Sequence, residues 1–193
     1  MVLPIYAYGQ PVLRERAADI ESDSPELQAL IDDMIETMHA ASGIGLAAPQ
    51  VGHSLRLFVA DLSPYAEDLA EDNDGAVPDY ARGPLVLINP ELHLDEESDE
   101  VDVEEGCLSI PELRETVWRP DRLTVRFLDR HFVPQEMDAE GQLARVIQHE
   151  HDHLDGVLYL DHLSPLRRRL LQRRLRAIAK GDIEADYPMQ FAP

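Results

Sequence analysis

The stretch Gln148-His149-Glu150-His151-Asp152-His153-Leu154-Asp155-Gly156 constrains this chain more than any other. It contains H-E-x-x-H. At roughly 100° per residue, a helix carries His149 and His153 on one face, a turn apart, where both imidazoles can grip one metal ion. Glu150 points along the same side, within reach of a water on that ion. His151 is turned roughly 200° from His149 and is not counted as a ligand. Two histidines do not complete a site, so a third protein ligand is required. The candidates are Cys107, His39, His53, His93, His131 and His162. Cys107, the only cysteine, is favoured because it sits in a glycine-flanked turn that can present a thiolate. Three protein ligands leave a position for water, as in a catalytic centre; a structural one takes four. A metal brings the pKa of that water toward neutrality, and Glu150 can pass the remaining proton to a leaving amine. Hydrolysis of an amide-like bond follows from these parts.

The rest of the chain reads as an α+β fold: antiparallel strands packed around the central H-E-x-x-H helix, plus a C-terminal helix, in one domain over residues 1–193. An extended arm over residues 1–23 contains a short turn of helix near residues 11–16. Ser24-Pro25-Glu26 opens a first helix whose apolar stripe is Leu27, Leu30, Ile31, Met34, Ile35 and Met38. Gly43-Ile44-Gly45-Leu46-Ala47-Ala48-Pro49-Gln50-Val51-Gly52 is a tight turn where backbone approaches something closely. Strands are expected at 55–61, 85–89, 91–95, 115–118, 123–128 and 132–137, with an edge strand within 96–105. Residues 63–83, acidic and without periodicity, are expected to form a mobile surface loop. Asp138 is placed as the cap of the central helix and Gly156 as its stop. A last helix over 164–180 has Leu166, Leu170, Leu171, Leu175 and Ile178 as its stripe and Gly181 as its stop, before a tail at 182–193.

Charge sets this surface against anionic partners: 38 acids against 17 bases give a net charge of −21, and Lys180 is the only lysine. Such a surface repels DNA and anionic membranes, and its self-repulsion is relieved by salt; it fits either an ordinary acidic cytosolic protein or adaptation to a salty cytoplasm. No apolar run has the roughly 20 residues of a membrane span, and the first residues lack the pattern of an export signal. A soluble cytoplasmic protein is expected. Against that background residues 164–180 carry seven cations and no acid: Arg167, Arg168, Arg169, Arg173, Arg174, Arg176 and Lys180. A continuous arginine surface of this kind is available to a polyanion.

Gly43-Ile44-Gly45-Leu46-Ala47-Ala48-Pro49-Gln50, Glu105-Gly106-Cys107-Leu108-Ser109 and Gln148-His149-Glu150-His151-Asp152-His153-Leu154 resemble, in order and separation, the three signature motifs of the peptide deformylases. The resemblance covers nearly the whole chain and departs at residues 63–83 and after Gly181. It implies removal of the formyl group from the N-terminal formylmethionine of newly made bacterial polypeptides, releasing formate. Cys107, His149 and His153 would hold the metal, and Glu150 would be the general acid and base. By the resemblance the metal is Fe²⁺, replaceable by Zn²⁺, Ni²⁺ or Co²⁺; the ligand set alone would have suggested zinc. The Gln50 side-chain amide and the Leu108 N–H would stabilise the oxyanion, each such donor being worth roughly 3 kcal/mol of barrier. Val146, one turn before His149, and Ile44 are candidate walls of the methionine pocket. Gly45 would approach the substrate backbone, and Arg114 would close the rim. The basic terminal helix is associated in bacterial relatives with docking at the ribosome near the nascent-chain exit. One rival is a metallopeptidase that takes its third ligand downstream, for which Glu184 is available; another is a non-catalytic protein with a relic site.

Overall fold

Alternating and 3.6-residue apolar patterns resolve into nine strands and four helices among the described residues of the structure, a computed structural model that describes residues 1–71, 73–95 and 97–192. In chain order they are β1 (Ile5–Tyr6), α1 (Pro25–Ala40), β2 (Gly45–Ala47), β3 (Leu57–Ala60), α2 (Ala66–Glu71), β4 (Leu85–Leu94), β5 (Glu100–Cys107), β6 (Ile110–Pro120), β7 (Arg122–Leu128), β8 (Pro134–Glu140), α3 (Gly141–Leu154), α4 (Pro165–Lys180) and β9 (Met189–Gln190). Five strands form one antiparallel sheet in the order β2-β3-β4-β7-β8, β5 and β6 form a separate hairpin, and β1 pairs in parallel with β9. No helix is long and apolar enough to cross a membrane.

The five-stranded sheet is covered on both faces, which explains why β3 is buried at every residue. Leu57 and Val59 join Ile31, Met34 and Met38 of α1 in one cluster. Phe58, pointing the other way, joins Leu143, Ala144 and Ile147 of α3. Truncating a fully buried side chain such as Met34 or Leu57 to alanine costs about 2–5 kcal/mol. The opposite face of α3 meets the β5–β6 hairpin: Arg145 donates to the Val117 and Val101 carbonyls at 2.9 and 2.6 Å, and Gln148 to the Pro120 carbonyl at 2.9 Å. The central helix is therefore held between sheet and hairpin, as the sequence implies.

Several local expectations are corrected. The 63–83 segment is not a free loop: it contains α2, and Ala66, Leu69, Val77 and Tyr80 pack against the sheet's second cluster while Ala81 is buried; Asp72 lies outside the described residues. The two strands expected at 85–89 and 91–95 merge into one, β4, which ends at Leu94 and passes Pro90 through a register shift between Ile88 and Glu91, with Asn89 at φ 48°. The edge strand expected within 96–105 is β5, and Glu96 lies outside the described residues. Asp138 does not cap α3. It faces Thr124 across the β7–β8 ladder and accepts its hydroxyl at 2.7 Å, so the strand runs on to Glu140. The turn into the helix is made by Gly141 at φ 58°. On α4, Leu171, Leu175 and Ile178 are buried, but Leu166 and Leu170 are 68% and 66% exposed. An i, i+4, i+7 set already fills the buried face, and the other two leucines fall outside its arc. The tail folds back, its strand β9 lying beside β1; Pro193 lies outside the described residues.

Candidate metal centre

One ligand atom from each of Cys107, His149 and His153 lies within 4.8 Å of the others, the one such trio of potential metal ligands among the described residues. The geometry descends from three local choices of the chain. The four-residue spacing on α3 stacks His149 and His153 on one face, with ring centroids 5.2 Å apart. A register shift at Gly106/Cys107 breaks the regular β5–β6 ladder, pairing Cys107 with Ile110 and setting its sulfur 3.3 Å from His153 Nε2. His149 Nδ1 is bonded to the Glu105 carboxylate at 2.8 Å, which leaves Nε2 for the cluster.

Burial opposes charge on both imidazoles. At His149 the Cys107 sulfur and the Glu105 carboxylate outweigh it and hold the pKa well above the ordinary value. At His153 burial, reinforced by the charge on His149, pushes it down to about 3. A sulfur and two ring nitrogens thus converge on one spot, with one imidazole held neutral. That donor set suits a divalent transition metal. Glu150 faces the same space. Its Oε2 is buried without a hydrogen-bond partner, and burial, with help from Glu105 and Asp152, raises its pKa to about 7 despite the charge on His149. A carboxylate poised there can give and take a proton at neutral pH. Gly45 makes the room: a Cβ on it would sit 2.8 Å from the Glu150 carboxyl carbon.

Gln50 is buried in the single turn Ala48–Val51 after β2. Its Oε1 accepts the Ala47 N–H at 2.8 Å, which fixes the amide so that Nε2 points at Ser109 Oγ (3.3 Å) and Cys107 Sγ (3.5 Å). Leu108 lies at the tip of the β5–β6 hairpin, beside Gly43, whose Cβ would meet the Leu108 side chain at 2.8 Å. Ile44 is half-buried next to Gly45, and its carbonyl accepts the Asp61 N–H at 2.9 Å. Val146 is buried one turn before His149. Arg114 is exposed and bound to Glu104 at 2.9 Å, with its guanidinium against Gly106.

The other ligand candidates stay outside the trio. His39 pairs with Asp61 and His162 with Asp152; His53, His93 and His131 do not join it, nor does the exposed Glu184. His151 does point away from the centre, accepting a bond from Arg56 at 3.0 Å. Sequence reasoning missed the support behind His149. Glu105 takes two bonds from Arg119 (2.7 and 3.0 Å) and one from Arg145 (3.0 Å), and Arg119 also reaches Asp152 at 2.8 Å. The available signal was charge at alternate strand positions, Glu105 with Cys107 and Glu115 with Arg119, on faces that also carry core residues.

The model of the family described as polypeptide deformylase matches residues 2–169 of the chain. A peptide deformylase of Salinibacter ruber is 54% identical over 98% of this chain and 94% of its own. The solved peptide deformylase of Ehrlichia chaffeensis superposes with a TM-score of 0.82 at 35% identity, covering 94% of this chain and 99% of that one. That of Legionella pneumophila gives 0.78 at 39% identity, covering 94% and 98%.

Proposed function

The chain belongs to the polypeptide deformylase family, a family of metallohydrolases, and on that footing we propose that it works in the cytoplasm as a single catalytic domain that removes the formyl group from formylmethionine at the start of nascent proteins. The observation that carries this reading is the Cys107–His149–His153 trio with the unpartnered Glu150 carboxylate beside it. Fe²⁺ is the proposed native ion, with Zn²⁺, Ni²⁺ or Co²⁺ able to replace it. Bound there, it would polarise the formyl group and lower the pKa of water. Glu150 takes the proton of the attacking water and returns it to the departing amine. The Gln50 Nε2, aimed by the bond between its own Oε1 and Ala47, donates to the formyl oxygen as charge builds on it, together with the Leu108 N–H. Val146 and Ile44 line the methionine pocket, Gly45 leaves space for the substrate backbone on one side and Glu150 on the other, and Arg114 stands at the rim.

Formate release from a formyl-Met peptide, in anaerobic buffer with Fe²⁺ or in air with Ni²⁺, tests the reading. Cys107→Ser should abolish turnover. Full activity in that variant would favour a peptidase with a different third ligand, and no formate from the wild type under either condition would end the proposal.

The basic helix α4 supports a second part of the reading, contact with ribosomal RNA near the nascent-chain exit. Arg167 is spent on Glu115 (2.7 Å), Arg174 on Glu112, and Arg168 lies 3.8 Å from Asp161. Among the described residues Arg169, Arg173, Arg176 and Lys180 form no ion pair, and with Leu170 they line one hollow along the helix, in which Asp182 is the one acid. Reversing the charge of Arg173 and Arg176 should weaken co-sedimentation with ribosomes and leave hydrolysis of short formyl peptides intact. Unchanged co-sedimentation returns the helix to a structural cap.

A further inference from the structure

The tip of a two-stranded hairpin is the least supported place in a fold, yet here it carries Cys107, Leu108 and Ser109. Besides the contacts of Gln50 and His153 with Cys107 Sγ, three bonds from outside the hairpin hold Leu108 and Ser109. Gln50 reaches Ser109 Oγ at 3.3 Å, the Tyr8 N–H donates to the Ser109 carbonyl at 2.8 Å, and the Tyr187 hydroxyl donates to the Leu108 carbonyl at 2.8 Å. Two of the three come from the ends of the chain. Those ends are tied to each other. The Ile5 and Ala7 N–H groups donate to the Pro188 and Gln190 carbonyls at 2.8 and 2.9 Å, and Gln10 Nε2 donates to the Phe191 carbonyl at 2.6 Å. Gly181, at φ 75°, turns the chain back from α4, and Phe191 packs against it. The Tyr187 ring lies half-buried against the α1 side of the core, so the hydroxyl is delivered from a fixed direction. Burial pushes its pKa up to about 12, aided by Cys107 and Asp186, and it remains a donor throughout the neutral range. The family match ends at residue 169, before this strap begins.

We propose that residues 182–192 are a strap that positions the active-site turn, and that Tyr187 acts through the Leu108 carbonyl as a positioning residue for deformylation. Fixing that carbonyl fixes the backbone of Leu108, whose N–H is the proposed oxyanion donor and whose preceding residue is the thiolate ligand. The inference rests on the deformylase reading of the site. Its effect should fall on the step in which the oxyanion forms, not on substrate capture.

Tyr187→Phe removes the hydroxyl and keeps the ring, so the strap should stay docked. Two measurements are made on the same preparations: kcat and KM for a formyl-Met peptide per bound metal, and the thiolate-to-metal absorption band of the Co²⁺-loaded protein. The expected result is a fall in kcat of about tenfold with KM and metal content unchanged, and a shift in the Co²⁺ band. Wild-type kcat per bound metal in Tyr187→Phe overturns the proposal, whatever happens to its melting temperature. Should the wild type itself release no formate, the deformylase reading fails; the Co²⁺ band then decides the strap alone, a shifted band supporting it and an unshifted one overturning it.

Discussion

Glu105 and Glu150 stand on two sides of His149, both buried, and the protein drives them in opposite directions. Behind the histidine, burial alone would raise the Glu105 pKa, but bonds from His149 and Arg119 overcome it and hold the carboxyl far below the usual carboxylate range. In front, Glu150 has no partner for Oε2, and burial carries it up to about 7. Burial is common to both, so partners decide the sign. The region behind spends its carboxylate on holding His149 in place, and the region in front leaves its carboxylate without a partner.

Exchanging each acid for its amide should split the two roles. The largest effect is expected in front. Glu150→Gln should lose about a thousandfold in kcat, the scale of general acid–base catalysis, with metal content unchanged. Kinetics together with metal analysis check this, and near wild-type turnover would erase the contrast. Behind, Glu105→Gln should cost about 3–5 kcal/mol in urea unfolding, because the buried Arg145 loses its carboxylate and Arg119 is left with Asp152 alone. Metal affinity should fall with it, by about tenfold or more as His149 loses its orienting bond. A variant as stable as the wild type would show that the network is not a support.

The chelated protein sharpens the comparison through pH. Glu105 and Asp152 are depressed in the fold, so their stabilisation is present above their unfolded pKa values, near 4, and is lost as pH falls below them. Glu150 is raised, so its contribution is present below its unfolded value and is lost as pH rises through about 7. Relative to Glu150→Gln, the wild type should therefore lose stability between about pH 4.5 and 7, and denaturant titrations across that range measure it. A constant difference would place Glu150 in contact with solvent or a partner.

Much of this front-and-back division was legible beforehand, but only the front. The H-E-x-x-H spacing gives His149, Glu150 and His153 directly, because helical periodicity is local. The glycine-flanked turn points to Cys107, whereas Gln50 is reached only through the family resemblance of its motif. The support behind was hidden because Arg119, Arg145 and Glu105 meet across two strands and a helix, and a buried charge looks like a surface charge until its partner is known. The same limit applied to α4. Its leucines read as one stripe in the sequence, although only those whose positions repeat around a single face reach the core. The 63–83 segment reads as unstructured because its five anchoring apolar residues follow no single period.

The smallest expected effect concerns the surface as a whole. Exposed pairs such as Arg122–Asp95 and Arg114–Glu104 contribute little and are screened by salt. The net charge of −21 should outweigh them, so the melting temperature should rise as salt goes from tens of millimolar to molar. A flat or falling curve would show that local pairing outweighs global repulsion.

The central claim is that one ion held by Cys107, His149 and His153 makes this chain a deformylase, and a metal titration tests it most directly. Chelated protein is titrated with Ni²⁺ while formate release from a formyl-Met peptide is followed. Turnover should be absent at the start, rise in proportion to added metal and break at one ion per chain, with no such rise in His153→Ala. Formate release that persists without metal, or that rises equally in His153→Ala, would contradict the account.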